Sequence, residues 1–170
     1  MANHWYAMRS KPNKEDFLAE QIDAYGIKVY YPRIHVATVN PRARKIRPFF
    51  PGYLFVQVDL EVVNLSVLNW MPGAANLVSF DGVPASVPDT LIVALRRKLE
   101  HLNLSKKALT DGLKHGESVI VQEGPFAGYE AIFDTHISGR DRVRVLLGFL
   151  QKRQVPLELR IGQIRRVKEP

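Results

Sequence analysis

Apolar residues recur at helical spacing in two stretches of the first half of the chain. The first stretch has Phe17, Leu18, Ile22 and Tyr25 on one face. Asn13 precedes it as a candidate cap, and Gly26 follows it, where a left-handed residue commonly ends a helix. The second stretch begins at residue 88. Its apolar face consists of Leu91, Leu95, Leu99 and Leu102. The pattern therefore predicts two amphipathic helices.

Shorter segments around these helices have the composition of β-strands. They span residues 3–9, 28–33, 52–59 and 76–80. A short helix or turn is predicted at 61–69, and the proline-bounded region 35–48 is predicted to be a polar loop or hairpin arm. This order of elements predicts an α/β sandwich that ends near residue 101. Its sheet would be mixed or antiparallel and would carry helices on one face.

After Gly116 the apolar pattern changes to a period of two. The alternating segments lie at residues 119–122, 142–147 and 155–159. Several short strands in a segment of this length can bury enough apolar surface only by closing into a small barrel. The sequence therefore predicts an α+β protein with two domains. The first spans 1–101 and the second 113–170, with a linker at 102–112.

Residues 42–55 combine a basic loop with an aromatic strand. The loop carries four cations without an acid between them: Arg42, Arg44, Lys45 and Arg47. The strand after it carries four rings: Phe49, Phe50, Tyr53 and Phe55. Successive side chains of a strand point to opposite faces. Either both faces of this strand are covered, or some of the rings line a binding surface.

Composition adds modest constraints. The 170 residues carry a formal net charge of +7, which slightly favours a polyanionic partner such as nucleic acid. The absence of cysteine excludes disulfides, thiolate catalysis and Cys-based zinc sites. No apolar segment approaches the ~20 residues needed to cross a bilayer, and the first residues do not resemble a leader. We therefore expect a cytoplasmic protein.

No constellation in the sequence indicates catalysis. The five histidines are scattered without the spacing of metal ligands, and no glycine-rich phosphate loop or nucleophile elbow is present. Glu15 and Asp16 open a predicted helix, where acidic side chains favour the helix dipole. We expect a non-enzymatic protein without a cofactor or metal ion.

The chain as a whole resembles the NusG family of transcription elongation factors. The first half has their N-terminal motifs: Trp5-Tyr6, FPGYLF at 50–55 and LVSF at 77–80. The second half has motifs of their KOW domain: GESVIV at 116–121, GPFAG at 124–128 and RVRV at 142–145. The resemblance implies an NGN-type domain at 1–101 and an SH3-like KOW barrel at 113–170.

Residues 78–88, VSFDGVPASVP, resemble the specialised RfaH-like antiterminators of this family. RfaH is known for a C-terminal domain that switches between a helical hairpin and a barrel. The second half of this chain contains residues that interrupt helices: Gly124, Pro125, Gly128, Gly139 and Gly148. We therefore expect a permanent barrel.

The resemblance implies a factor that suppresses pausing by binding RNA polymerase. In the family, an aromatic cavity of the N-terminal domain binds the clamp helices of the largest subunit. The matching residues here are Tyr6, Phe49, Phe50 and Tyr53. Arg9 departs from the apolar residue usual at its position, and residues 64–66 (NLS) replace the His-Thr-Thr with which RfaH-like proteins touch the second large subunit.

Further partners are implied for the arm and for the barrel. The basic residues Arg42, Arg44, Lys45 and Arg47 could lie along nontemplate or upstream DNA, or form a solvated loop. Phe126 would contact a small-subunit ribosomal protein or Rho, or cap the barrel core. We expect a monomer. The alternative is a KOW-containing RNA-binding or ribosome-associated protein without polymerase activity, whose binding would be far more sensitive to salt.

Overall fold

The computed structural model describes residues 3–36, 42, 46–108 and 131–151, and for 104–108 it describes the backbone. The described part is α+β, with antiparallel sheets and helices. In chain order the strands are β1 His4–Ser10, β2 Lys28–Tyr30, β3 Arg33–His35, β4 Ile46–Pro48, β5 Tyr53–Val58, β6 Ala74–Leu77, β7 Ser79–Phe80, β8 Val83–Pro84 and β9 Ser86–Val87. The helices are α1 Glu15–Tyr25, α2 Leu65–Asn69, α3 Asp89–Ala108 and α4 Gly139–Gln151.

The central sheet has the order β2-β5-β1-β6, and β9 also pairs with β1. All of these pairings are antiparallel, as the sequence pattern allowed. Side chains of β1 alternate between two apolar clusters: Trp5 and Ala7 face one, while Tyr6 and Met8 face the other. Both faces of the sheet are therefore covered.

Helices lie on both faces of the sheet, so the prediction of helices on one face is wrong. Leu18 and Ile22 of α1 belong to the cluster that contains Tyr6 and Met8. Leu91 and Leu95 of α3 belong to the opposite cluster. The sheet is apolar on both sides, so each side needs its own cover.

Helix α1 ends as predicted but begins differently. Gly26 has φ +96°, and its N–H donates to the carbonyl of Asp23 at 3.0 Å. Asn13 does not cap the helix, since the cap position is Lys14 and no side chain bonds there. The carboxylate of Glu15 instead accepts a hydrogen bond from the backbone N–H of Gly52 at 2.7 Å. Glu15 therefore ties α1 to the turn before β5.

Helix α3 begins after Pro88, where the sequence predicted it, but continues to Ala108. Residues 102–108 were predicted as the start of a linker and are helical. Near its C-terminal end, α3 lies against β3, which pairs with β4 at the base of the predicted hairpin arm. The carboxamide of Asn103 accepts a hydrogen bond from the N–H of His35 at 3.0 Å and donates one to the carbonyl of Arg33 at 3.3 Å.

The strand predicted at 142–147 is wrong, because residues Gly139–Gln151 form helix α4. The expectation of a permanent barrel over 113–170 is also wrong for the described part of that range, 131–151, which contains helical segments and no strand. Ser138 caps α4: its hydroxyl oxygen accepts a hydrogen bond from the N–H of Asp141 at 3.1 Å. The remaining predicted barrel segments lie outside the described residues.

Helical spacing explains why this segment is a helix here. The buried side chains of α4 include Arg142, Val145, Leu146 and Leu150, spaced at i, i+3, i+4 and i+8. Gly148 lies within α4 and costs about 1 kcal/mol relative to alanine, less than the burial of one leucine contributes.

Two adjacent leucines distinguish the helix from the predicted strand. Leu146 is fully buried, whereas Leu147 is partly exposed. Leu146→Ala should lower the free energy of unfolding by about 2–5 kcal/mol, and Leu147→Ala by clearly less, since only the first leaves a cavity under α4. Urea denaturation of both variants measures the difference. In the predicted strand Leu147 would point inward, so the reverse ranking would contradict the helix.

Candidate functional site

One side of the central sheet carries an aromatic cluster. We call it the aromatic face and define it by Trp5, Phe49, Phe50 and Phe55. Phe50 lies edge-on to Phe49 at 5.1 Å and to Phe55 at 5.9 Å between ring centroids. All three phenylalanines are fully buried. Edge-to-face geometry at these distances is favourable, so the rings form one rigid unit.

The turn between β4 and β5 sets the position of these rings. The N–H of Phe49 donates to the carbonyl of Pro32 at 2.9 Å, and the N–H of Tyr53 donates to the carbonyl of Phe50 at 2.9 Å. Between them Gly52 has φ +88°, a conformation that side chains other than glycine rarely adopt. Its N–H is the group that Glu15 binds. The turn is therefore held from both sides.

Helices α3 and α4 cover the aromatic face together. Leu91, Leu95 and Leu99 of α3 belong to the same apolar cluster as the aromatic face. The segment 131–151 contributes a comparable set: Ala131, Ile132, Phe133, Ile137, Val145, Leu146 and Leu150. From the strand pattern, this surface could have been a binding face. In the structure, a helix of the same chain covers it.

Arg142 makes the most specific contact between α4 and the aromatic face. Its Nε donates to the carbonyl of Phe49 at 2.9 Å, and its Nη1 donates to the carbonyl of Ile137 at 2.6 Å. The guanidinium carbon lies 4.1 Å from the centroid of the Phe49 ring. Burial lowers the pKa of Arg142 to about 10, and the nearby Asp134 carboxylate opposes that shift. The group remains charged near pH 7, so its burial carries a desolvation cost.

Gly139 allows α4 to approach the turn closely. A Cβ built at this position would lie 2.7 Å from both Cγ and Cδ of Pro51. Real Cβ atoms do not come so close to another carbon, and the proline ring cannot rotate away. The helix can therefore dock in this position only with glycine there.

The structure separates the residues that the family resemblance grouped together. Phe49 and Phe50 lie in the aromatic face, and the half-buried Tyr53 packs against the same cluster. Tyr6 lies on the opposite side of the sheet, where burial, with a contribution from Asp59, raises its pKa. Arg42 and Arg47 are exposed on the arm. The other predicted residues, Arg44, Lys45 and Phe126, lie outside the described residues.

Several residues of the site were missed from the sequence. Trp5, rather than Tyr6, contributes β1's aromatic side chain to this face. Tyr30 stacks on Phe55 at 6.2 Å between centroids, and the guanidinium of Arg96 lies 4.5 Å from the Tyr30 centroid. Strict alternation along β1 would have placed Trp5 with Ala7 and opposite Tyr6. The contact between α3 and β2, in which Arg96 lies on the Tyr30 ring, leaves no such signal in the sequence.

Two other kinds of site are absent from the described part of the chain. Residues 3–36, 42, 46–108 and 131–151 contain no group of three or more His, Asp or Glu side chains arranged to hold a metal ion. Within the same residues, no helix has the length and hydropathy required to cross a membrane.

The family model described as "Transcription termination factor nusG" matches residues 3–96. The chain belongs to the NusG family. The match runs from β1 into α3 and includes the aromatic face, while α4 lies beyond it. In this NusG-family protein, the cover formed by α4 is therefore contributed from outside the segment that matches the family model.

Two relatives match this NusG-family protein over nearly their whole length. The "Transcription termination/antitermination protein NusG" of Pseudomonas aeruginosa is 26% identical, covering 98% of this chain and 100% of its own. The protein of the same name from Vibrio vulnificus is 25% identical, covering 96% and 95%. A solved structure described as "Domain interaction in Thermotoga maritima NusG" has a TM-score of 0.42 at 18% identity, covering 74% of this chain and 70% of that one.

Gly139→Ala tests the close approach of α4. Replacing a helical glycine by alanine ordinarily favours the helix by up to about 1 kcal/mol. Here the added methyl group would collide with Pro51, so docking of α4 should weaken by about 1–3 kcal/mol. Hydrogen exchange of the amides in residues 139–151 should become faster, while exchange in α1 stays unchanged. Slower exchange in α4 would show that the contact with Pro51 does not limit docking.

Proposed function

We propose that this protein is a transcription elongation and antitermination factor that binds RNA polymerase through its aromatic face. The observation that carries the proposal is that an amphipathic helix, α4, covers this face. Apolar grooves that accept one amphipathic helix commonly accept another of similar shape, with a few buried rings dominating the affinity. The clamp helices of the largest polymerase subunit would take the place of α4.

Binding would therefore require α4 to leave. The observed affinity of the polymerase is then reduced by the fraction of molecules in which the face is open. Two features support a reversible cover. Arg142 is buried with its charge, and the contact at Gly139 leaves no spare space. The buried charge and the tight contact both mean that α4 can dock in only one geometry.

The displaced segment would then form the KOW barrel. Residues 142–147 satisfy helical spacing in α4, yet they also alternate with the period of a strand. A segment compatible with both patterns can change its structure when the surface that it covers is taken by a partner. This favours the RfaH-like branch of the family. The barrel would recruit a small-subunit ribosomal protein or Rho, with Phe126 in the contact.

The remaining assignments follow from this role. Exposed Arg42 and Arg47, with Arg44 and Lys45 between them in sequence, would lie along nontemplate or upstream DNA. Residues 64–66 would face the second large subunit. We also propose that the protein is a monomer without enzymatic activity, working in the cytoplasm and acting by binding alone.

A matched pair of arginines tests the proposal. Arg142 is buried against Phe49, whereas Arg144 is half exposed and pairs with Asp141 at 3.7 Å. Arg142→Ala should raise the affinity for an RNA polymerase elongation complex about tenfold, because the docked cover loses a charged hydrogen bond. Arg144→Ala should leave it near wild type. The affinities can be measured by titrating the elongation complex with labelled full-length protein.

Two controls complete this experiment. Adding Tyr53→Ala to Arg142→Ala should abolish the gain, because it removes a ring from the opened surface, and circular dichroism verifies that the variant is folded. Binding should also persist at high salt, since apolar docking is screened less than phosphate contact. Equal effects of the two arginine substitutions, or binding that disappears with salt, would favour the ribosome-associated alternative.

A further inference from the structure

Three polar or charged residues are buried in the part of the chain that the structure describes, and all three contact the turn between β4 and β5. They are Ser10, Glu15 and Arg142. The backbone N–H of Ser10 donates to the carbonyl of Gly52 at 2.8 Å, and the carboxylate of Glu15 accepts from the N–H of Gly52 at 2.7 Å. Arg142 bonds the carbonyl of Phe49 from the other side. The buried polar contacts therefore converge on one turn.

Residues 50–53 form a type II turn. The N–H of Tyr53 donates to the carbonyl of Phe50 at 2.9 Å, and Gly52, the third residue, has φ +88°. Pro51 is the second residue, and its φ of about −65° excludes the mirror-image turns. In a type I turn the third residue would have φ of about −90°, and the two types differ by a rotation of roughly 150° of the central peptide unit. The orientation of the Pro51–Gly52 peptide thus defines the turn.

Glu15 fixes the orientation of that peptide. In a type I turn the peptide would direct its carbonyl oxygen toward the carboxylate, so repulsion would replace a charge-assisted hydrogen bond. Glu15 is only 7% exposed, so little water is available to replace the lost bond. The buried carboxylate therefore selects type II.

The other side of the turn faces the helix that covers the aromatic face. Pro51 lies so close to Gly139 of α4 that a methyl group would not fit between them. Helix α1, which carries Glu15, lies on the opposite side of the sheet. Glu15 thus acts from the α1 side on a contact that is made on the α4 side. Holding a turn in its docked form beforehand removes the cost of ordering it when a helix binds.

We propose that Glu15 is a positioning residue for helix docking on the aromatic face, because it holds the Pro51–Gly52 peptide in the orientation that α4 and a partner helix both require. The partner helix rests on the proposed function, whereas docking of α4 can be measured without polymerase. Loss of Arg142 would loosen the cover alone. Loss of Glu15 would loosen the cover and also disorder the surface beneath it.

Two glycines of the same geometry test the role of the turn. Gly52 has φ +88° and Gly82, in the turn between β7 and β8, has φ +80°. A Cβ built at either position meets no atom within 4 Å, so alanine there is strained by its φ alone. Amide hydrogen exchange of residues 139–151 should become about tenfold faster in Gly52→Ala and stay near wild type in Gly82→Ala. Equal exchange in the two variants would overturn the proposal.

Two acids of α1 test Glu15 itself. Glu20 is exposed on the same helix and serves as the control. Glu15→Ala should accelerate exchange of residues 139–151 about tenfold, whereas Glu20→Ala should match wild type. Glu15→Gln should retain most of the protection, because its side-chain oxygen can still accept the bond. Urea denaturation verifies that each variant is folded. Unchanged exchange of α4 in Glu15→Ala would contradict the proposal.

Affinity for an RNA polymerase elongation complex separates positioning from support of the cover alone. Arg142→Ala is expected to raise this affinity about tenfold. Glu15→Ala, with a similar acceleration of α4 exchange, should leave it near wild type, because the turn beneath is disordered as well. An increase equal to that of Arg142→Ala would show that Glu15 supports only the cover and would overturn the proposal. If neither wild type nor Arg142→Ala binds, the proposed function fails, and exchange of α4 decides the role of Glu15.

Discussion

Burial of the aromatic face is the constraint on which the rest of the structure depends. Each aromatic ring buries roughly 150–250 Å² of surface, so leaving Phe49, Phe50 and Phe55 in water would cost several kcal/mol. The sheet itself offers no second layer on that side, and α3 shares the cover with the segment 131–151. The helical form of α4 follows from this need, since only a helix presents Val145, Leu146 and Leu150 to one surface.

The same constraint makes the surface suitable for a partner. Helix α4 lies outside the segment that matches the family model. Its contacts with the turn include the hydrogen bond from Arg142 Nε to the carbonyl of Phe49 and the close approach of Gly139 to Pro51. Under the proposed function, a partner helix that buries the same rings without the desolvation cost of Arg142 competes with α4. Under the proposed function, α4 keeps the aromatic face folded and dry until such a helix displaces it.

The opposite face of the sheet and the C-terminal part of α3 make separate contacts that support the aromatic face. Helix α1 covers the opposite face, and Glu15 fixes the turn that carries the aromatic rings. Helix α3 covers the aromatic face with its first turns, and Asn103 further along the helix bonds the backbone of β3. Arg96 lies against both Trp5 and Tyr30, so it links α3 to β1 and β2 at this face.

The sequence by itself determined an α+β fold with a mixed or antiparallel sheet, the position of α1 and the start of α3, the left-handed end at Gly26 and the family, because these depend on local periodicity and short motifs. It placed Phe49 and Phe50 in the candidate site. Only the structure decided that the sheet is antiparallel and that α3 continues to Ala108. Tertiary structure alone decided that Trp5 replaces Tyr6 there, that helices cover both faces, and that α4 is a helix. Residues 142–147 fit both a period of two and helical spacing. Local preference cannot choose between them, and the apolar surface that the segment meets selects the helix.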